Sequence, residues 1–364
     1  MRPACRREGV LLALLLACAA PGEERRPPPE EVTFLEPEVL LGEPGGEKLV
    51  DLGAEELYAQ GEAASADGDL ALAATAFAAC AHRFPASPRA CEALRRAGLA
   101  ARALGLEERA LGLYRELYQE EGCAVPEGRL LAAEALVALG RRGEARRLLS
   151  ELADLSADEP ERRLAALTER GVLEFEDGES EIAERSLELA LAALPPPEDP
   201  PGRPPPAAGR ARFYLAEVAR RRFLAETLDT RLDRTALGQA LEAKADRLLL
   251  AQARYLEAAR SGEPGQRVAA LARIGELYES FYRELVDAPL PEGLAGGEAR
   301  AYRALLGERV RVLLEKAAQA YEETVEAARH AGVEESPFAS AAAGALARIE
   351  RALARDEALP PPAP

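Results

Sequence analysis

The 364-residue chain has no tryptophan, two histidines and 5% aromatic residues. Scarce rings and few β-branched side chains argue against an all-β protein, whose strands are built from them. The two histidines, His82 and His330, stand far apart, which leaves little for acid–base or metal chemistry. No HExxH, GxSxG, Walker A or GxGxxG pattern occurs. Positive charge is in deficit: 46 Lys and Arg against 63 Asp and Glu give a net charge of -17. That balance disfavours nucleic acid and anionic lipid as direct partners. It fits a basic protein partner or a solvated acidic surface. Adjacent carboxylates such as Glu107–Glu108 and Glu334–Glu335 read as solvated faces. No cluster of His, Cys and carboxylates has metal-ligand spacing, so neither a metal nor a cofactor is expected, and catalytic residues are absent from the reading. The N-terminal apolar run, Val10 to Ala17, is too short to span a bilayer.

Alanine and leucine are abundant, and the composition points to an all-α protein. The stretch Ala54 to Ser87 carries Gly61, Gly68, Ala73, Phe77, Cys80 and Pro85. Gly61 and Ala73 let two helices approach closely, and Phe77 fills the space between them. Gly68 suits a turn, and Pro85 stops the second helix. This spacing resembles the tetratricopeptide repeat (TPR), a 34-residue pair of antiparallel helices. A second copy runs from Cys91 to Ala124 with Leu94, Gly98, Gly105, Ala110, Tyr114 and Leu117. A third starts near Pro126 with Leu136, Gly140, Ala145, Leu149 and Leu152, and with Gly143 and Glu144 near its turn. A fourth starts near Leu164 with Leu167, Gly171, Gly178, Ala183, Leu187, Ala190 and Pro195. Four near-continuous copies imply an α-solenoid of TPR-type helical hairpins. In this frame His82 falls at a helix C-terminus, where the dipole favours it.

The N-terminus begins with Arg2, Arg6 and Arg7 before the apolar run, the layout of a secretory signal. The run ends in Leu15-Leu16-Ala17-Cys18, which resembles the lipobox of bacterial lipoproteins. That resemblance implies that Cys18 is acylated and becomes the mature N-terminus. Ala19 after it implies an outer-membrane destination. The alternative is an ordinary signal peptide cleaved near Ala20, giving a soluble periplasmic protein. The segment up to residue 50 is rich in Pro, Gly and charge and reads as a disordered tether, with a short apolar patch at Val32 to Leu35.

The predicted organisation is a signal peptide (1–17), a lipidated tether (18–50) and four repeats (51–194). A Pro-rich linker (195–206) follows, then longer, degenerate hairpins with a capping helix (207–357) and a tail (358–364). The linker carries eight prolines in twelve residues and reads as a semi-rigid divider. Beyond it, Arg210 to Thr227, Arg234 to Arg260, Glu298 to His330 and Pro337 to Glu357 have helical character. Leu271, Ile274, Gly275 and Tyr278 match a first helix, and Ala317, Tyr321 and Thr324 match a second. The segments IGELYESFY from Ile274, DAPLPEGL from Asp287 and VLLEKAAQAY from Val312 resemble the TPR-repeat lipoproteins of adventurous gliding-motility machineries. The resemblance covers residues 270 to 335. It implies an outer-membrane component of an envelope-spanning motility complex, or a relative doing another envelope job.

Three further cysteines remain. Cys80 falls at an interhelix position and reads as a small core residue. Cys91 and Cys123 fall at neighbouring ends of one hairpin, so they are either bridged in an oxidising periplasm or left as free thiols. The face of each first helix turned away from its partner is expected to line a concave groove. It carries Tyr58, Glu62, Arg95, Arg102, Glu134 and Thr168, which suit either a peptide or plain solvent. The expected function is therefore a lipid-anchored scaffold docking envelope proteins or peptide segments, touching the membrane only through its anchor. The rivals are an outer-membrane or peptidoglycan-linked assembly factor, and an accessory or cryptic hydrolase built on carboxylates.

Overall fold

The computed structural model describes residues 49–119, 123–194, 204–229, 233–290 and 295–355. Among them the chain forms thirteen helices in succession. The first eight are α1 (Ala54–Ala66), α2 (Leu70–Arg83), α3 (Ala90–Ala103), α4 (Glu107–Gln119), α5 (Glu127–Ala138), α6 (Arg142–Leu155), α7 (Pro160–Glu176) and α8 (Ser180–Ala192). Then come α9 (Pro206–Ala225), α10 (Arg234–Ser261), α11 (Pro264–Val286), α12 (Gly296–Ala331) and α13 (Pro337–Arg355). Each helix packs against the next, so the protein is an all-α solenoid of TPR-type hairpins. The signal segment, Cys18, nearly all of the tether and the tail lie outside the described residues.

Local chemistry sets the hairpins. α1 ends at a turn where Gly68 takes φ 79°, a left-handed conformation costly for any side chain. Asp69 then caps α2, its carboxylate accepting the Leu72 N–H at 3.0 Å. Gly105, Gly140 and Gly178 repeat the left-handed turn. In the third hairpin Gly140 is therefore the turn residue, and Gly143 lies inside α6 instead.

The two helices of a hairpin touch where one has no side chain. A Cβ on Gly61 would stand 2.7 Å from the Phe77 ring, and one on Gly171 would stand 2.7 Å from Leu187. Gly98 faces Tyr114 in the same way. The last full hairpin keeps the contact with a different spacing: Gly275 on α11 meets Tyr321 on α12, 46 positions later rather than 16. Phe77, Tyr114 and Tyr321 are almost fully buried. Each brings the large apolar area that holds its hairpin closed.

The Pro-rich run does not divide the array. Its residues 195–203 lie outside the described set, but α9 packs directly on α7 and α8. Leu187 of α8 is buried with Ala211 and Leu215 of α9, and Ala208 joins the core that contains Leu164 and Leu167. Arg221 of α9 donates to the Phe175 carbonyl at 2.9 Å and to Ser180 Oγ at 3.1 Å, with its guanidinium 3.6 Å from the Phe175 ring centre. Further on, α11 packs on α9 and α13 packs on α11. The first helices of successive hairpins thus form one layer across the linker.

The start of the array is also pinned. Leu49 is fully buried, and Arg83 donates to the carbonyls of Leu49, Val50 and Leu52 at 2.8, 2.9 and 3.2 Å. The segment read as tether therefore becomes part of the solenoid by residue 49.

Candidate interaction surface

The layer of first helices is laced by ion pairs that recur at about one repeat length. Arg89 meets Glu55 at 3.3 Å, Arg96 meets Glu62 at 2.8 Å, and Arg102 meets Glu134. Arg162 meets Glu127 at 3.0 Å, and Arg210 of α9 meets Glu169 of α7 at 3.1 Å. Each exposed pair contributes at most about 1 kcal/mol. Their joint effect is geometric: charges on one first helix fix the register of the next.

This ladder changes the reading of the predicted groove. Tyr58 is 3% exposed. Arg89 and Arg96 of the next hairpin lie 4.7 and 5.1 Å from its ring centre, and Phe77 packs edge-on at 5.4 Å. Thr168 is wholly buried, its Oγ1 donating to the Ala207 carbonyl at 3.5 Å. Neither offers a side chain to a partner, because the neighbouring first helix covers the face that a single hairpin leaves open. Glu62, Arg102 and Glu134 stay at the surface, tied into the ladder. Arg95 stays there too, paired with Glu92 at 2.6 Å. Hydrogen bonds from Arg95, and then Arg96, hold the Glu92 carboxyl down at about 2 despite partial burial.

Cys91 and Cys123 are bridged, with Cα atoms 5.4 Å apart. The bond ties the start of α3 to the chain just past α4. Cys80 is a free, buried thiol that donates to the Ala54 carbonyl at 3.3 Å, and burial pushes its pKa up. His82 at the end of α2 has a partner beyond the helix dipole: its Nε2 lies 2.6 Å from Glu116 Oε2 on α4. Among the described residues, no group of three or more His, Cys, Asp or Glu is placed to hold a metal ion. No helix among them is long and apolar enough to cross a membrane.

Further along, this layer opens into a cleft. Between α9, α11 and α13 an open cleft of about 690 Å³ is bordered by Arg220, Arg283, Arg348 and Arg351. Two glutamates lie at its base. Glu279 is buried and accepts from Arg348 at 2.7 Å, Arg283 at 2.8 Å and the Tyr321 hydroxyl at 3.1 Å. Glu276 accepts from Arg273 at 2.7 Å and Arg220 at 3.2 Å. Behind them Glu217 accepts from the Tyr255 hydroxyl at 2.7 Å and from Arg273 at 3.1 Å. Burial, reinforced by the facing carboxylates, raises the pKa of both tyrosines, so they stay protonated and act as donors. Every carboxylate here is engaged by arginine. The arrangement suits anchoring and charge display rather than a pair of free carboxylates poised for hydrolysis.

Sequence reasoning did not find this cleft. Its partners lie 56 and 69 positions apart, as in Arg220–Glu276 and Glu279–Arg348, and no periodic signal joins them. The nearest hint was the match of Ile274, Gly275 and Tyr278 to a first helix, which places Glu276 and Glu279 on α11.

No family model matches the chain, and no curated protein matches it. Among solved structures the chain is similar to a tetratricopeptide repeat protein from Parabacteroides merdae. The identity is 17%, over 79% of this chain and 97% of that one, with a TM-score of 0.38. It is also similar to a circular tandem repeat protein with novel repeat topology and enhanced subunit contact surfaces. There the identity is 16%, over 83% and 78% of the two chains, with a TM-score of 0.16. Likenesses this distant carry no functional argument. The solenoid stands on the helix packing described above.

Proposed function

We propose that the protein is a scaffold that docks other proteins of a bacterial cell envelope on the layer formed by its first helices. The observation that carries this reading is the run of first helices from α1 to α13, joined by ion pairs from α1 to α9 and by direct packing from α7 onward, with an open, arginine-bordered cleft near its end. Stacked hairpins of this kind present extended surfaces and need no mobile part to do so. The carboxylates of the cleft are bound by arginines, which speaks against the hydrolase alternative.

The envelope location draws support from two independent features. Arg2, Arg6 and Arg7 precede an apolar run that ends at Cys18, in the pattern of an acylated lipoprotein. The Cys91–Cys123 bridge suits an oxidising compartment. In this reading Cys18 carries the lipid, residues up to 48 form the tether, and the solenoid starts at Leu49. A part in gliding motility rests on the resemblance across residues 270 to 335 alone. A role as an assembly factor would use the same surface.

The test is fractionation of the native host expressing wild type or Cys18→Ala, followed by capture of bound proteins. Wild type is expected in the outer-membrane fraction with a defined set of envelope proteins, and the variant in the soluble fraction. Identical behaviour of the two overturns the anchor. Capture of no protein by either removes the scaffold role. Loss of gliding in a deletion strain, restored by the gene, is the separate test of the motility assignment.

A further inference from the structure

We propose that the cleft between α9, α11 and α13 takes an acidic peptide segment of a partner protein, an inference that deepens the scaffold reading and rests on it. Charge is the first ground. Four arginines border the cleft against two glutamates, in a chain whose net charge is -17. Two other clefts do not share this excess. The larger one between α10, α11 and α12 sets Arg260 and Arg267 against Glu323 and Glu326. The one between α5 and α7 sets a single Arg162 against Glu127, Glu159 and Glu161. Screening in physiological salt acts over about 8 Å, so a docked segment feels the local arginines more than the distant acidic surface.

The second ground is unused donors. Arg348 gives one nitrogen to Glu279, but its Nε is buried with no acceptor. Such an orphan costs free energy until an acceptor reaches it. Arg351, one turn further along α13, is exposed, and its Nε donates only to the Ala347 carbonyl of its own helix. Among the described residues no carboxylate pairs with it. The exposed Arg351 guanidinium is therefore open to a carboxylate, for which its planar fork is matched, with the Arg348 charge one turn away.

The third ground is access. Where α13 borders the cleft it carries Ser340, Ala341 and Gly344, so a chain approaching the arginines meets no bulky side chain. Leu224 of α9, 40% exposed, supplies an apolar wall on the opposite side. A segment that alternates carboxylates with small apolar residues satisfies both walls.

The experiment is fluorescence anisotropy on the full chain with two labelled twelve-residue probes, one alternating Glu with Ala and one alternating Gln with Ala. The Glu probe is expected to bind at least about tenfold more tightly than the Gln probe, a difference of about 1.4 kcal/mol. Arg351→Glu, at an exposed position that supports no internal pair, is expected to weaken the Glu probe by about tenfold or more. Equal binding of the two probes, unchanged binding by Arg351→Glu, or no binding of the Glu probe overturns the proposal. A chain ending at Arg355 is the third arm. If the Glu probe binds only to that shortened chain, residues 356–364 occupy the cleft and the partner assignment falls. Photocrosslinking of captured envelope proteins separates the two levels. Crosslinks elsewhere on the first-helix layer, with no Glu-probe binding, overturn the acidic segment and leave the scaffold standing. No crosslinks at all remove the scaffold itself.

Discussion

Gly61 and Gly112 are both helical glycines, yet the same substitution should act on them with opposite sign. At Gly61 an added Cβ would stand 2.7 Å from Phe77, whereas at Gly112 on α4 it would meet nothing within 4 Å. Gly61→Ala forces Phe77 off its place and is expected to cost about 1–3 kcal/mol. Gly112→Ala relieves backbone entropy inside a helix and is expected to gain up to about 1 kcal/mol. Thermal melts of the two variants against wild type check both; a destabilised Gly112→Ala would show that the α4 surface is packed more tightly than the distances indicate. Glu92 gives a pH-dependent case. Its carboxyl is held at about 2 by Arg95 and Arg96, below the ordinary 4.5. The folded state therefore takes up that proton less readily than the unfolded state. The stability it adds is complete above about pH 4.5 and is lost as the pH falls toward 2. The pair is over a third exposed, so solvent screening limits the effect to less than about 1 kcal/mol. Glu92→Gln should flatten this part of the acid-denaturation curve, and parallel curves for variant and wild type would contradict it. These residues also mark what the sequence could carry. Gly61 and Phe77 were legible because both sides of their contact lie within one 34-residue unit. Tyr58 and Thr168 were placed on an open face because their covers, Arg89, Arg96 and Ala207, belong to the next unit.

The hairpin is the element that repeats, and the disulfide locks one copy of it. The Cys91–Cys123 bridge closes a loop with a sequence separation of 32, worth about 3–4 kcal/mol in the chain-entropy account. In an array whose units contact chiefly their neighbours, the loss of that constraint should stay local. A Cys91→Ser variant is expected to lose amide protection across α3 and α4, with α11 to α13 exchanging as in wild type. Uniform loss over the whole chain would mean that the array unfolds as a single unit. The last full hairpin shows both the reach and the limit of the repeat pattern. Its motif residues Gly275 and Tyr321 meet as Gly61 and Phe77 do, although 46 positions separate them. Local spacing identified each helix correctly, because the contact needs only a bare position on one helix and a ring on the other. The ladder of ion pairs was not legible, because opposite charges one repeat apart are common in a chain with 63 acidic residues. Only the approach of one first helix to the next selects those that pair.

The two halves of the molecule are joined by surface complementarity rather than by the chain between them. The Pro-rich run reads as a separator because eight prolines cannot continue a helix. Composition alone cannot reveal that α9 carries Ala208, Ala211 and Leu215 on a face that α7 and α8 receive. Arg221 adds bonds to Phe175 and Ser180 and stacks on the Phe175 ring. If that junction holds the halves together, the covalent link should be dispensable once they have folded. A variant with a protease site replacing residues 197–202 is therefore expected to elute as one species on gel filtration after complete cleavage. Arg221→Ala, which removes the anchor and not the apolar contacts, should speed separation of the cleaved halves. Immediate separation of the otherwise unaltered cleaved protein would mean that the solenoid is two arrays on a string. The same result would bear on partner binding: the cleft lies on α9, α11 and α13, whereas the first described hairpin is pinned at Leu49. Only a continuous layer would couple that cleft mechanically to the first hairpin.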